Sequence, residues 1–391
     1  MSVLRTTVAA PEVVPTSGRA WLIDLLKALG CVLIVLHHLA FYGPMSDVVM
    51  GVWPQLIEWL FDRARLAVQM FLVCAGFLTA GSLRHVMRLD APLAAQWLWR
   101  RYLRLSLPLL AALSVVVLVS EIIRPGFDHP SLSALPTWWQ AWAHVFLLQH
   151  LLDLEALSAG VWYVAVDFQL YALAMLVLAV AQRLSRWKAH TRAEVWCNRL
   201  WLMLAAASLW WWSGIESLDD YALYFCASYA MGWLAYQTRL ARMAGKIGFS
   251  FGIVVILGAV ALWLDPNWRL ATALTVAALL VAAPQEWFAP PEGCGLWCRT
   301  IQAISRMSYA VFVVHFGISL AVNAWVSQRW PDQLLPNALG MLGSLALSLL
   351  AGALLFKYVE QPRPTVMRWL RWVGIFMLSV ALAMHINSLA G

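Results

Sequence analysis

Long apolar runs, interrupted by short stretches rich in Arg, Pro and Gly, dominate the pattern of this chain. The first run, 20–42, is long enough to cross a bilayer, because about 20 residues at ~1.5 Å each span the hydrocarbon core. Ten more runs follow at about 63–82, 102–121, 161–181, 200–214, 221–237, 247–264, 268–284, 303–327, 336–357 and 370–388. The stretch Trp138–Leu152 is apolar but shorter than a span. If it crossed fully, the next basic loop would fall on the wrong side, so the pattern predicts a re-entrant or interfacial segment there. An amphipathic piece is predicted around Val52–Phe61. Together these elements predict an all-α polytopic membrane protein with about 11 transmembrane helices.

Charge sets the expected orientation. Outside the first span, 21 Lys and Arg fall in one set of alternate loops and 5 in the other. The positive-inside rule then predicts a cytosolic N-terminus and a periplasmic C-terminus. The net charge of +7 is spread over these loops. With no basic domain or recognition motif, nucleic acid is not an expected partner. Hydrophobic residues make up 62% of the chain and charged residues 12%, a balance that excludes an ordinary soluble domain. Most of the 24 Trp are expected in interfacial belts. Residues 1–18 read as a disordered cytosolic tail, and 19–391 as a single membrane domain whose first helix is its own insertion signal. Of the 6 cysteines only Cys294 and Cys298 are close in sequence. In a cytosolic loop they are expected to be reduced, and no metal site is expected.

Ionisable residues inside the apolar runs are the candidate chemistry, since such groups are costly unless they line a wet cavity or meet a partner. Asp24, Lys27 and His38 step along one face of the first helix, with Lys27 and His38 roughly 16 Å apart along its axis. His38 has the pKa range of a general base if a carboxylate or carbonyl holds its other nitrogen. Arg101 and Arg104 project together at the cytosolic mouth of the third span, a pairing suited to phosphate. The alternative for them is lipid-phosphate anchoring. Asp167 lies ~9 Å into its helix, on a face shared with Tyr163 and Tyr171 and near Trp162. It needs a cationic or hydrogen-bonding partner, either a structural Arg such as Arg65 or the site itself. His315 is mid-span and reads as a supporting hydrogen-bonding group. Glu360, at the end of the tenth run, reads as structural and paired with an Arg. No Gly-x-Ser-x-Gly elbow and no P-loop is present.

These motifs, in this order, resemble the bacterial acyltransferase-3 family of integral membrane O-acyltransferases over nearly the whole chain. Lys27 and His38 stand at the spacing of that family's Arg-x10-His, preceded by Asp24. Phe71-Leu-Val-Cys-Ala75-Gly-Phe-Leu is similar to its Phe-Phe-Val-Leu-Ser-Gly-Phe-Leu. Arg101-x-x-Arg104 with Pro108 is similar to its double-arginine motif, and Trp162 to Tyr171 to its Trp-Ser-Leu-x-Val-Glu-x-Gln-Phe-Tyr. Ser308-Tyr to His315 and Glu360-Gln-Pro resemble its later motifs. The chain departs from the pattern at Lys27, Ala75 and Asp167, and Gln69 stands where many members have an acid.

The resemblance implies transfer of an acyl group, acetyl or succinyl, from cytosolic acyl-CoA to a hydroxyl of an extracytoplasmic glycan or lipid-linked sugar. It also implies a multi-pass protein of the bacterial inner membrane. Acyl-CoA is then a donor substrate, and no bound cofactor is expected. Expected roles are catalytic for His38, as the base or as a transiently acylated group, and for Asp167, orienting His38 or the acceptor. Lys27, Arg101 and Arg104 are expected to bind the donor. Asp24, Trp162, Tyr171 and His315 support the site. A homo-oligomer is compatible with the sequence. Buried ionisable groups on several helices would also serve a transporter of a small anion or sugar.

Overall fold

The computed structural model describes residues 20–188, 191–246 and 248–390. The tail expected over 1–18 lies outside the described residues. Among them the chain is helical, with no strand. In chain order the helices are α1 (Trp21–Phe41), α2 (Pro44–Met50), α3 (Pro54–Asp62), α4 (Ala67–Leu83), α5 (Ala91–Ile123), α6 (Trp138–Val145) and α7 (Val161–Trp187). They continue with α8 (Ala193–Trp210), α9 (Ala222–Met243), α10 (Phe249–Leu264), α11 (Trp268–Ala282), α12 (Gly295–Arg329), α13 (Leu334–Leu355) and α14 (Val366–Ala390).

Among the described residues, seven helical segments are long and apolar enough to cross a membrane, by length and composition: Trp21–Phe41, Pro54–Leu83, Ala91–Gly126, Val161–Trp187, Gly295–Arg329, Leu334–Glu360 and Val366–Ser388. The other four expected runs fall on α8, α9, α10 and α11; α10 and α11 are apolar but have only 16 and 15 residues. Local chemistry explains several boundaries. Asp90 caps α5, its carboxylate accepting from the Leu93 N–H at 3.0 Å. Thr137 and Gln140 close a reciprocal capping box at the start of α6. Pro108 sits inside α5, where it removes one helical donor. Beside it, the Leu105 carbonyl accepts the Tyr309 hydroxyl at 2.6 Å, joining α5 to α12. A π-helical turn at Phe356–Glu360 closes the tenth run.

Contacts give the directions. α1 and α12 run parallel, since Asp24 meets Ser305 and His38 meets His315. α5 and α7 run antiparallel, since Arg101 meets Asp167 and the Leu89 N–H just before α5 donates to the Gln182 side-chain Oε1. Beyond the Arg101–Asp167 pair α5 continues for 22 residues, about 33 Å, whereas α7 starts only six residues, about 9 Å, from it. The segment between them must therefore descend along α5 into the bundle before α7 begins. α6 lies within that segment, and the Tyr102 hydroxyl donates to its Val145 carbonyl at 2.6 Å. Trp138–Leu152, expected to be re-entrant or interfacial, forms only the eight-residue α6 as a helix and is not among the segments long enough to span.

The same segment is pinned by His144, which is fully buried. The Gln140 carbonyl can only accept, so His144 Nδ1 carries the proton and donates to it at 2.8 Å. Nε2 then accepts from the Leu157 N–H at 3.1 Å. Burial pulls the imidazole down to about 4.

α4 and α9 cross at two glycines. A Cβ at Gly76 would strike the Tyr229 carbonyl, and one at Gly232 the Val73 carbonyl, so the two backbones touch. Cys294 and Cys298, expected as free thiols, are disulfide-bonded at the start of α12. Cys294 is the residue before the helix and Cys298 lies in its first turn.

Two outcomes follow from this packing. Gly76→Val inserts a branched side chain against rigid backbone, and should lower stability in detergent by about 1–3 kcal/mol or more, read as a lower melting temperature. The His144 pKa lies below its unfolded value near 6.5, so its contribution is complete above that pH and declines as pH falls towards 4. The loss should reach roughly 3 kcal/mol by pH 4. It is measurable as faster amide exchange over 138–158, and His144→Phe should remove that pH dependence.

Candidate active site

A cavity of about 550 Å³ opens among α1, α4, α5, α7 and α12. Its cationic wall is Lys27 from α1 with Arg100, Arg101 and Arg104 from α5. α7 contributes Tyr163, Asp167 and Tyr171, and α12 contributes Ser308, Tyr309 and Phe312. α4 supplies an apolar and small-residue side that includes Phe71, Ala75 and Thr79, and Glu360 closes the remaining edge.

The groups in this wall differ in how far they are committed to one another. Arg101 Nη2 donates to Asp167 Oδ2 at 2.5 Å, and its guanidinium lies 5.3 Å from the Tyr171 ring centroid. The Arg101 side chain stays 31% exposed while that of Asp167 is 8% exposed, so the arginine bridges the cavity and the protein interior. Lys27, Arg104 and Glu360 make no ion pair among the described residues. One Glu360 oxygen is buried without a hydrogen-bond partner. Asp24 accepts from the Ser305 hydroxyl at 2.6 Å through Oδ1, and its Oδ2 has no partner. An array of unpaired cations on one cavity wall suits an anionic ligand such as a phosphorylated one.

A second arrangement lies towards the α5 C-terminal end of the bundle. His38 Nδ1 and His315 Nε2 are 2.6 Å apart, with the two rings nearly parallel and 4.8 Å between centroids. The protons in this pair can be assigned from a fixed end. His315 Nδ1 faces the Phe312 carbonyl at 2.7 Å. A carbonyl only accepts, so Nδ1 carries a proton and the neutral ring offers Nε2 as an acceptor. His38 Nδ1 must then donate, which leaves His38 Nε2 with a free lone pair. His38 is 7% exposed and His315 fully buried. The arrangement is that of a base whose orientation and tautomer are set from behind.

The expected site residues therefore separate into two groups. Lys27, Arg101, Arg104, Asp167 and Tyr171 share the cavity, whereas His38 and His315 do not line it. Asp167, expected to orient His38 or the acceptor, makes no hydrogen bond to His38, whose Nδ1 meets His315 instead. It is held by Arg101, because α7 begins so deep in the bundle that its first turns sit level with Arg101. His315 occupies the position expected for a carboxylate or carbonyl beside His38. Trp162 stacks on Phe225 at 5.3 Å between centroids and does not line the cavity. Glu360, expected to pair with an arginine, instead faces the cavity. Arg65, the alternative partner for Asp167, bonds the Asp62 carbonyl. At the positions departing from the family pattern, Ala75 lines the cavity and Gln69 accepts from Ser228 at 2.6 Å. Sequence reading missed Phe312, whose signal was its three-residue spacing from His315, and Tyr309, which follows Ser308 directly.

No curated protein and no solved structure matches the chain. A family model described as an acyltransferase domain matches residues 21–352. That stretch includes α1 to α12 with the histidine pair and every residue named in the cavity except Glu360, and the chain belongs to the acyltransferase-3 family, whose members are membrane acyltransferases.

Proposed function

We propose that this protein transfers an acyl group, acetyl or succinyl, from cytosolic acyl-CoA to a hydroxyl of a glycan or lipid-linked saccharide outside the membrane. In this reading it resides in a bacterial inner membrane, with all eleven expected runs embedded and the N-terminus in the cytosol. The excess of Lys and Arg on one side supports that orientation and puts the cationic cavity wall towards the cytosol. The observation that carries the reading is the proton-ordered chain from the Phe312 carbonyl through His315 to His38, close to a cavity with unpaired cations.

The chemistry divides between the two groups. Lys27, Arg100 and Arg104 bind the phosphates of the donor. Arg101 is already neutralised by Asp167, so it contributes hydrogen bonds and wall position more than net charge. His38 Nε2 removes the proton of the acceptor hydroxyl as its oxygen attacks the thioester carbonyl. His315 accepts from His38 Nδ1 and stabilises the imidazolium that forms. Collapse of the tetrahedral intermediate expels CoA as thiolate, which takes up the proton held on His38. The product is an ester on the acceptor and free CoA.

Purified protein incubated with labelled acyl-CoA and extracted membrane glycans should release thiol and yield a labelled product. A transporter of a small anion or sugar would give neither. His38→Ala should lower turnover by roughly two to four orders of magnitude without loss of insertion. His315→Gln should cost less, because it preserves packing and a hydrogen bond while losing the charge-stabilising ring. For the donor wall, Arg104→Ala should raise the KM for acyl-CoA about tenfold with kcat nearly unchanged. Arg101→Ala strands the Asp167 carboxylate and should destabilise the fold by about 3 kcal/mol or more, an effect that Arg101→Gln/Asp167→Asn should largely reverse. A carboxylate that tolerates the single change as well as the double one would argue against this pairing.

A further inference from the structure

We propose that the Phe312 side chain is a movable partition between the cavity and the His38–His315 pair, and that it sets the size of the acyl group that can react. The inference rests on the acyl-transfer reading above. Phe312 belongs to both environments: it lines the cavity, yet its ring centroid lies 6.0 Å from that of His315, one helical turn along α12. Neither histidine lines the cavity. The base therefore lies outside the cavity that holds the cationic wall, with this ring at the boundary.

The ring is seated against the start of α7. Tyr163, the third residue of α7, meets it edge-on at 5.2 Å between centroids. The tip of the ring faces the bare backbone of Gly160, held at φ +84 immediately before α7. A Cβ at Gly160 would stand 2.8 Å from Phe312 Cζ, so the ring occupies the space that a side chain there would need. The result is an aromatic plug of 5% exposure, backed by a left-handed glycine at the head of the helix that carries Asp167.

A plug of this kind has two consequences for acyl transfer. An acyl group carried on a flexible arm from the cationic wall reaches His38 only by displacing the ring through a side-chain rotation. A short acyl group needs little displacement, and a longer one needs more room than the seat between Tyr163 and Gly160 provides. The closed ring also keeps His38 from activating water against a thioester held in the cavity. With the ring removed, water deprotonated by His38 attacks the thioester carbonyl: a C–O bond forms, the C–S bond breaks, CoA leaves as the thiol, and a free carboxylic acid remains.

The test uses full-length protein in nanodiscs with Phe312→Leu and Phe312→Ala. CoA affinity is measured by calorimetry, beside thiol release from acetyl-CoA and hexanoyl-CoA in the absence of acceptor. Phe312→Ala should raise the hexanoyl-to-acetyl ratio of thiol release at least about tenfold, with CoA affinity kept within about threefold. Phe312→Leu, which retains apolar bulk, should fall between and serves if the alanine variant does not fold. CoA binding with an unchanged ratio, or with no release by any variant, overturns the partition while leaving the donor site intact. No CoA binding by the unmodified protein overturns the acyl-transfer reading, and this inference with it.

Discussion

One ion pair organises the interior. Arg101 and Asp167 bring α5 and α7 together at a level far from the α5 C-terminus. α7 then cannot begin at the far surface, and the chain before it must turn into the bundle. The descending segment packs through Tyr102 and His144, the first beside the ion pair and the second tying α6 to Leu157. The first turns of α7 carry Tyr163 against Phe312 as a consequence. A buried charge pair of this kind adds little net stability, because desolvation offsets most of the attraction. Its effect is on register: of the ways two apolar helices can slide past each other, it leaves the one that avoids an unpaired charge.

The two polar arrangements differ in their electrostatic character. Around the cavity, formal charges exceed their partners, and Lys27, Arg104 and Glu360 remain uncommitted. In the histidine pair every group is neutral in the assigned tautomers, and order comes from hydrogen bonds that begin at a main-chain carbonyl. Placing a base beside guanidinium groups would make its protonated form costly. In the proposed reading, separation by an aromatic layer lets the same protein hold an anion and accept a proton within a short distance.

Much of this was legible in the sequence, for identifiable reasons. Apolar runs and their basic borders located the helices, because bilayer thickness and backbone hydrogen bonding leave few alternatives. Trp138–Leu152 was readable as a segment that does not cross, from its length and the charges that follow. The Asp24, Lys27 and His38 face was readable from helical spacing alone. Partner choice was not. Periodicity places Asp167 on a face but says nothing about depth relative to another helix, and depth is what gave it to Arg101 instead of His38. The relation of His315 to His38 was equally hidden, since 277 positions separate them and only the parallel packing of α1 and α12 brings them together. Glu360 read as structural because its charge sits at a helix end. The π-helical turn that closes there, and the cavity it faces, have no signature in composition.

The crossing of α4 and α9 bears on how such a molecule can breathe. Where two main chains touch at Gly76 and Gly232, neither helix can roll or slip along the other without atoms colliding. That half of the bundle behaves as a fixed anvil. Any widening needed to admit or discharge a bulky guest falls to the opposite side, where α5 and α7 meet through the Arg101 and Asp167 side chains, which can rotate.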